Sequence, residues 1–119
     1  MNVAIDGAHI LGGRFAGINV DAAFVAVTHT WLRGDPGCGN GNHGIYVVHG
    51  TAVVENDVIS GHCIGITVAD TAFISSNTIT GNTVGIWNFG GTAFTRGNNT
   101  VENNGANLAG TPLTGYSGH

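Results

Sequence analysis

The chain has 119 residues, 42% of them hydrophobic and only 8% charged, with 21 glycines and a net charge of −4. That length bounds it to one small domain, and so few charges leave Asn, Thr, Ser and Gly to cover most of the surface. Lysine is absent and the three cations are Arg14, Arg33 and Arg96; without clustered Lys and Arg, the composition argues against partners such as nucleic acid or an anionic membrane.

No run of the sequence approaches the roughly 18 apolar residues of a membrane span. Residues 1–6 lack the basic and apolar regions of a signal peptide,. Repeat-like sequence begins almost at once, which suggests a mature domain cut from a longer chain or a very small free-standing protein. Residues 1–16 read as a partial first coil, because Ile10-Leu11-Gly12-Gly13-Arg14-Phe15-Ala16-Gly17-Ile18 echoes Val58-Ile59-Ser60-Gly61-His62-Cys63-Ile64-Gly65-Ile66. Residues 17–43 form a full copy that opens with Gly17-Ile18-Asn19-Val20. This copy spans 44 − 17 = 27 residues, several more than its neighbours. The extra length is expected as an inserted loop over 31–43, where Gly34-Asp35-Pro36-Gly37 and Asn40-Gly41 are strong turn signals,.

Residues 44–106 are the regular array. Copies open with Gly44-Ile45-Tyr46-Val47, Gly65-Ile66-Thr67-Val68 and Gly85-Ile86-Trp87-Asn88, at spacings of 65 − 44 = 21 and 85 − 65 = 20. Inside them Thr51-Ala52-Val53-Val54 answers Thr71-Ala72-Phe73-Ile74 and Thr92-Ala93-Phe94-Thr95. Several landmarks in register at a period just above 20 mark a solenoid. Residues 107–119, with Gly110-Thr111-Pro112 and Gly115-Tyr116-Ser117-Gly118, read as an irregular tail of the same single domain, 1–119.

Within each copy apolar residues alternate with polar ones over three to five positions, and β-branched types dominate, so each copy is a set of short strands and no helix longer than one turn is expected. The second strand of each copy has an ambiguous phase. Ala52/Val54, Ala72/Ile74 and Ala93/Thr95 share one face, and Phe24, Val53, Phe73 and Phe94 the other. The four leucines are too few for a leucine-rich repeat, no hexapeptide period is present, and no Gly-Gly-x-Gly-x-Asp calcium repeat occurs,. What remains is an all-β, single-stranded, right-handed parallel β-helix of about four to five coils. Asn77, then Asn98 or Asn99, with Asp57 in the same slot, suits a ladder of buried amides bonded along the stack.

The run Ile74-x-x-Asn77-x-Ile79-x-Gly81-Asn82, following Gly-Ile-x-Val and a turn, resembles the parallel β-helix repeats of the pectate-lyase-like superfamily. It is closest in flavour to carbohydrate-binding and sugar-hydrolase type coils, NosD-like proteins among them. The resemblance spans about residues 17–108 and implies the fold; such repeats occur in enzymes, adhesins and phage proteins alike, and the superfamily is often extracellular or periplasmic. Lyases and hydrolases of this kind place carboxylates and cations on the outside of a sheet. The outward row Asn19, Tyr46, Thr67 and Trp87 contains no acid or base, although Tyr46 and Trp87 could stack on sugar rings,. The same aromatics would equally shield strand edges or join a subunit contact. Val48-His49-Gly50 is only a faint echo of a hydrolase motif, and the arginine/lysine and Asp-Pro-His patterns of lyases and epimerases are missing.

Two further groups of residues invite inspection. His43, His49 and His62 lie near first-strand ends in adjacent coils, near Cys38, Cys63 and Asp70, but no Cys-x-x-Cys or His-x-x-x-His spacing supports a zinc or copper site,. Cys63 reads as a semi-buried core thiol, and a Cys38–Cys63 disulfide requires the 31–42 loop to fold back over the next coil. In the loop, Arg33 and Asp35 could hold a sugar carboxylate or hydroxyls, or simply pair with each other while Trp31 packs on the solenoid.

The ligand-binding candidates are therefore Trp31, Arg33, Asp35, His43, Tyr46 and Trp87, with no catalytic residue, metal or cofactor assigned. The expected function is a non-catalytic carbohydrate-binding or structural β-helix module, with a polysaccharide or glycan as ligand. It would self-associate into a homo-oligomer through its uncapped coil ends or a flat sheet face. The alternative is a fragment or small relative of a polysaccharide-active enzyme of the uronate lyase, hydrolase or epimerase type. An ice- or surface-binding face would need regular outward Thr-x-Thr rows.

Overall fold

The structure is a computed structural model and describes residues 2–11, 16–34 and 42–115. Every element in it is a β-strand, and every strand pair is parallel. The chain winds as a parallel β-solenoid of about five turns, each turn contributing a strand to three ladders. The first ladder joins the opening halves of β3 (Ala16–Thr28) and β5 (His43–Glu55) to β7 (Ile64–Val68), β10 (Val84–Asn88) and β13 (Ala106–Gly110). The second runs through β1 (Asn2–Asp6), the closing halves of β3 and β5, β8 (Thr71–Ser75), β11 (Thr92–Thr95) and β14 (Thr114–Gly115). A separate five-stranded sheet stacks β2 (His9–Leu11), β4 (Trp31–Arg33), β6 (Val58–Ser60), β9 (Thr78–Thr80) and β12 (Thr100–Val101).

Because side chains alternate across each strand, like residues stack in columns inside the solenoid. The first sheet contributes the column Ile18–Ile45–Ile66–Ile86–Leu108, the third Ile10–Leu32–Ile59–Ile79–Val101. The second-strand phase is resolved in favour of Ala52/Val54, Ala72/Ile74 and Ala93, which are buried. The phenylalanines therefore face out, and Phe73 and Phe94 stack with centroids 4.8 Å apart. Phe24 shares that outward side but stands in register with Thr51, so the column does not include it. Full burial of each Val or Ile contributes about 1.5–3 kcal/mol relative to exposure, and the columns supply most of what a chain this short can bury.

Corners are built from a left-handed residue followed by a polar one. Asn56 (φ 57°) and Ser76 (φ 56°) precede Asp57 and Asn77; Gly61 (φ 73°), Gly81 (φ 71°) and Asn103 (φ 58°) precede His62, Asn82 and Asn104. A single left-handed residue bends the chain sharply, and Gly and Asn take that conformation at least cost. The polar residue then turns inward and serves the neighbouring coil. Asn77 Oδ1 accepts from the Asp57 amide at 2.9 Å, Asn99 Oδ1 accepts from the Asn77 amide at 3.0 Å, and Asn77 Nδ2 donates to the Val54 carbonyl at 2.9 Å. Asn99, not Asn98, is thus the rung; Asn98 lies outside and donates to Ser76 Oγ. A second ladder, unforeseen from the sequence, runs through the amides of His62, Asn82 and Asn104 at the other corner.

The extra length of the second coil falls later than the sequence implied. Trp31-Leu32-Arg33 is not loop but strand, in register with Val58-Ile59-Ser60, since Leu32 is an obligatory core residue of its column. Gly34 donates to the Ser60 carbonyl and Asn42 accepts from the Cys63 amide, which confines the insertion to positions outside the described residues, Asp35 included. The tail is also more regular than expected: β13 and β14 carry the first and second ladders onward through Gly115, with Leu108 continuing the isoleucine column.

The glycine opening each Gly-Ile-x-Val copy has a steric cause. A Cβ on Gly65 would lie 2.5 Å from the Gly85 carbonyl oxygen and 3.0 Å from Ile79 Cγ2. The outcome expected for Gly65→Ala is a loss of about 2–4 kcal/mol in chemical denaturation, as for overpacking against backbone, whereas the same change at Gly115, where the nearest atom to a Cβ is the Thr95 carbonyl oxygen at 4.0 Å and φ is not left-handed, costs far less.

Asp57 is a carboxylate in an amide ladder. Its Oδ1 accepts from the Thr30 amide at 2.8 Å, and its buried Oδ2 has no partner. Burial pushes its pKa from 3.8 up to about 7, against the pull of the Thr30 hydrogen bond. A raised folded-state pKa means that the site is most stable below pH 3.8 and becomes less so as pH rises through about 7,. Asp57→Asn supplies a neutral rung whose Nδ2 can reach the Val27 carbonyl as Asn77 reaches Val54. The variant should be more stable than the parent by about 2–4 kcal/mol near pH 8 and nearly equal to it below about pH 4, as thermal melts at the two pH values will show.

Candidate functional site

Three outward faces could meet a ligand, one per sheet. On the first, register places Asn19, Tyr46, Thr67, Trp87 and Ala109 in one row across five coils. Tyr46 and Trp87 stand two coil steps apart, about 10 Å, with Thr67 between them. Thr67 is 1% exposed although it faces outward, because larger side chains shade it. His43 also turns to this side: its Nδ1 lies 2.6 Å from Thr67 Oγ1 and its ring 4.6 Å from that of Tyr46, tilted by 53°. Trp87 packs against Phe89 at 4.7 Å, and Phe89 is 56% exposed. The structure thus brings His43, Tyr46 and Trp87 together as an aromatic strip, to which the sequence reading had not joined Phe89. Its signal was available, since Phe89 is two residues after Trp87 and so shares its side of the strand.

The third sheet carries the other sequence candidates. Trp31 does not pack on the solenoid; it faces outward and meets His9 edge-on, ring centroids 5.3 Å apart. Trp31, Arg33, His9 and Leu11 line a cleft of about 160 Å³. Arg33 forms no ion pair with any described residue, and Asp35, its expected companion, lies outside them. The candidates therefore divide between two faces and do not form one site.

The second sheet presents Thr51, Thr71 and Thr92 in register as a threonine row, at the positions that the repeat alignment of the sequence sets in correspondence. Its neighbours are Val53, Phe73 and Phe94 in place of a second threonine row.

The expected histidine grouping is dispersed. His43 faces out on the first sheet and His49 pairs with Asp21 at an exposed corner, at 3.0 Å. His62 turns inward, 3% exposed, with neither ring nitrogen hydrogen-bonded. Among the described residues no group of three His, Cys, Asp or Glu is arranged to hold a metal ion. Cys63 is not a free thiol but disulfide-bonded; the one other cysteine in the sequence, Cys38, lies outside the described residues.

The carboxylates are likewise separated by their structural duties. Asp6 accepts from Thr28 Oγ1 and pairs with His29, which together hold its pKa below the ordinary value. Asp70 Oδ2 accepts from the Gly50 amide, and Asp57 is a ladder rung. None of the described carboxylates lies in the aromatic row. A hollow of about 380 Å³ near Ile86, Val101, Leu108 and Leu113 is lined otherwise by Thr, Gly and Asn, with no titratable group.

No protein-family model matches the chain, and no significant match to it is found among curated proteins or among solved structures.

Burial lowers the pKa of both His43 and His62. Folding therefore favours the neutral rings, so their stabilising effect is complete above the ordinary value of 6.5 and is lost as pH falls below it,. His62→Asn puts a neutral amide in the slot used by Asn82 and Asn104, where Nδ2 can reach the Leu32 carbonyl. Acid-induced unfolding of this variant should begin at a lower pH than in the parent, by about half a unit or more, in a circular-dichroism titration.

Proposed function

We propose that this protein is a non-catalytic carbohydrate-binding module on a β-helix of the pectate-lyase-like kind, and that its glycan lies along the first sheet. The observation that carries this reading is the row His43, Tyr46, Trp87 and Phe89, aromatic side chains on one face of the stack that pass from the buried His43 through the half-buried Tyr46 and Trp87 to the exposed Phe89, with no carboxylate among them. Aromatic faces present rigid apolar area to the C–H faces of sugar rings at little entropic cost, and the tyrosine hydroxyl and indole N–H remain for sugar hydroxyls. A parallel stack repeats its side chains at a fixed step, so an extended polymer can meet several of them in line. Glycoside hydrolysis asks for two carboxylates flanking one bond, and lyase chemistry for a base beside charge-stabilising cations; the residues of this strip favour adhesion over either. The polysaccharide-active enzyme is the competing reading.

Affinity electrophoresis through gels containing individual polysaccharides tests the proposal. Retardation by at least one neutral or acidic polysaccharide is expected, with Trp87→Ala weakening it about tenfold, or 1.4 kcal/mol, and Tyr46→Ala by a smaller factor. Unchanged mobility of both variants would exclude this face. Release of unsaturated uronate or new reducing ends from the bound polymer would replace adhesion with catalysis.

A further inference from the structure

The third sheet bears three of the large hydrophobic side chains left exposed on the described surface: Leu11 at 74%, Trp31 at 48% and Val58 at 38%. They lie on a flat face with two outward columns. One reads His9, Trp31, Val58, Thr78, Thr100 and the other Leu11, Arg33, Ser60, Thr80, in successive coils. Val101 is paired with Ile79 and the Glu102 amide donates to the Ile79 carbonyl, so Glu102 takes the next outward position after Thr80. Arg33 and Glu102 therefore stand in one column, three coil steps or about 14 Å apart. Both are exposed, and neither is paired with any described residue. The face has a cationic end, an anionic end and an apolar and threonine middle.

We propose that this face binds a second copy of the chain. A two-fold axis lying between the two sheets, parallel to their strands and passing between the levels of Ser60 and Thr80, reverses the stacking direction and keeps the columns aligned. Arg33 of each copy then meets Glu102 of the other, Trp31 covers Thr100, and Val58 covers Thr78. Sheets pack face to face at about 10 Å, a gap that one arginine and one glutamate side chain span together. The arrangement is isologous, closes at two copies, and makes the ion pair twice. An antiparallel stack is selected because the parallel alternative keeps each coil at its own level, setting the two Arg33 side chains close to each other at one end and the two Glu102 side chains close at the other, and forms no Arg33–Glu102 pair. The face offers only a few hundred Å², well under the roughly 800 Å² per partner of a standard interface, so the dimer is weak and forms at high micromolar concentration. The inference is independent of the glycan reading, since it uses a different sheet. If both hold, the dimer presents two glycan strips and gains avidity.

Sedimentation equilibrium on the full chain from about 10 μM to about 1 mM tests it, with circular dichroism to verify folding. A monomer–dimer equilibrium is expected. Arg33→Glu and Glu102→Arg should each weaken it about tenfold or more, and the double reversal should restore it to within about threefold of the parent. Arg33→Gln and Glu102→Gln, which remove charge without opposing it, should give intermediate losses. A monomer throughout the range, a dimer indifferent to all four single changes, a double reversal no better than its parents, or open-ended growth beyond two copies would each overturn the proposal.

Discussion

Everything in this molecule depends on backbone register between coils about 4.8 Å apart. Once the parallel ladders are aligned, each residue finds its own kind above and below, and a core forms although no coil could bury its apolar face alone. The ladders at the corners hold that register. A buried amide whose oxygen accepts from one coil while its nitrogen donates to another is satisfied only when the coils are in step, and leaving such a group unpaired costs about 1–3 kcal/mol. Asn77 and Asn82 each bridge in this way, accepting from the Asp57 and His62 amides of the preceding coil and donating to the Asn99 and Asn104 side-chain oxygens of the following one.

The departures from the ladder rule are informative because the environment is otherwise uniform. Asp57 occupies an amide slot as an acid and His62 occupies one as an imidazole, each with buried polar atoms unsatisfied. Their burial disfavours opposite charges, so acid strains one corner and alkali the other. His62 also sits against Gly34, where a Cβ would come within 2.6 Å of the imidazole Cδ2. The second ladder thus gives way to a ring at the coil that packs against Gly34.

The outward faces show how a solenoid separates stability from recognition. Inward columns are occupied by Val, Ile, Leu and Ala for packing, whereas the outward rows differ from sheet to sheet in chemical character: aromatic on the first, threonine and phenylalanine on the second, mixed charge and apolar on the third. Outward substitutions leave the ladders intact, and such a scaffold can therefore carry distinct surfaces on its separate sides.

The period, the strand character, the inward isoleucines and one amide ladder were determined by the sequence alone, because in-register stacking writes itself as repetition at about 20 residues. Tyr46 and Trp87 were legible as members of one row for the same reason. Only the tertiary structure decided the phase of the second strand, where alternation was equally good on either face and Thr95 did not discriminate. It also decided the strand status of Trp31–Arg33, since strong turn residues downstream obscured the core role of Leu32. The placement of Trp31 and Arg33 on a different face from Tyr46 and Trp87, and the alignment of Arg33 with Glu102, likewise had to come from the fold. Residues 69 positions apart become members of one column only when three coil steps and three corners per coil are counted correctly, and the insertion of about six residues makes that count impossible to take from spacing alone.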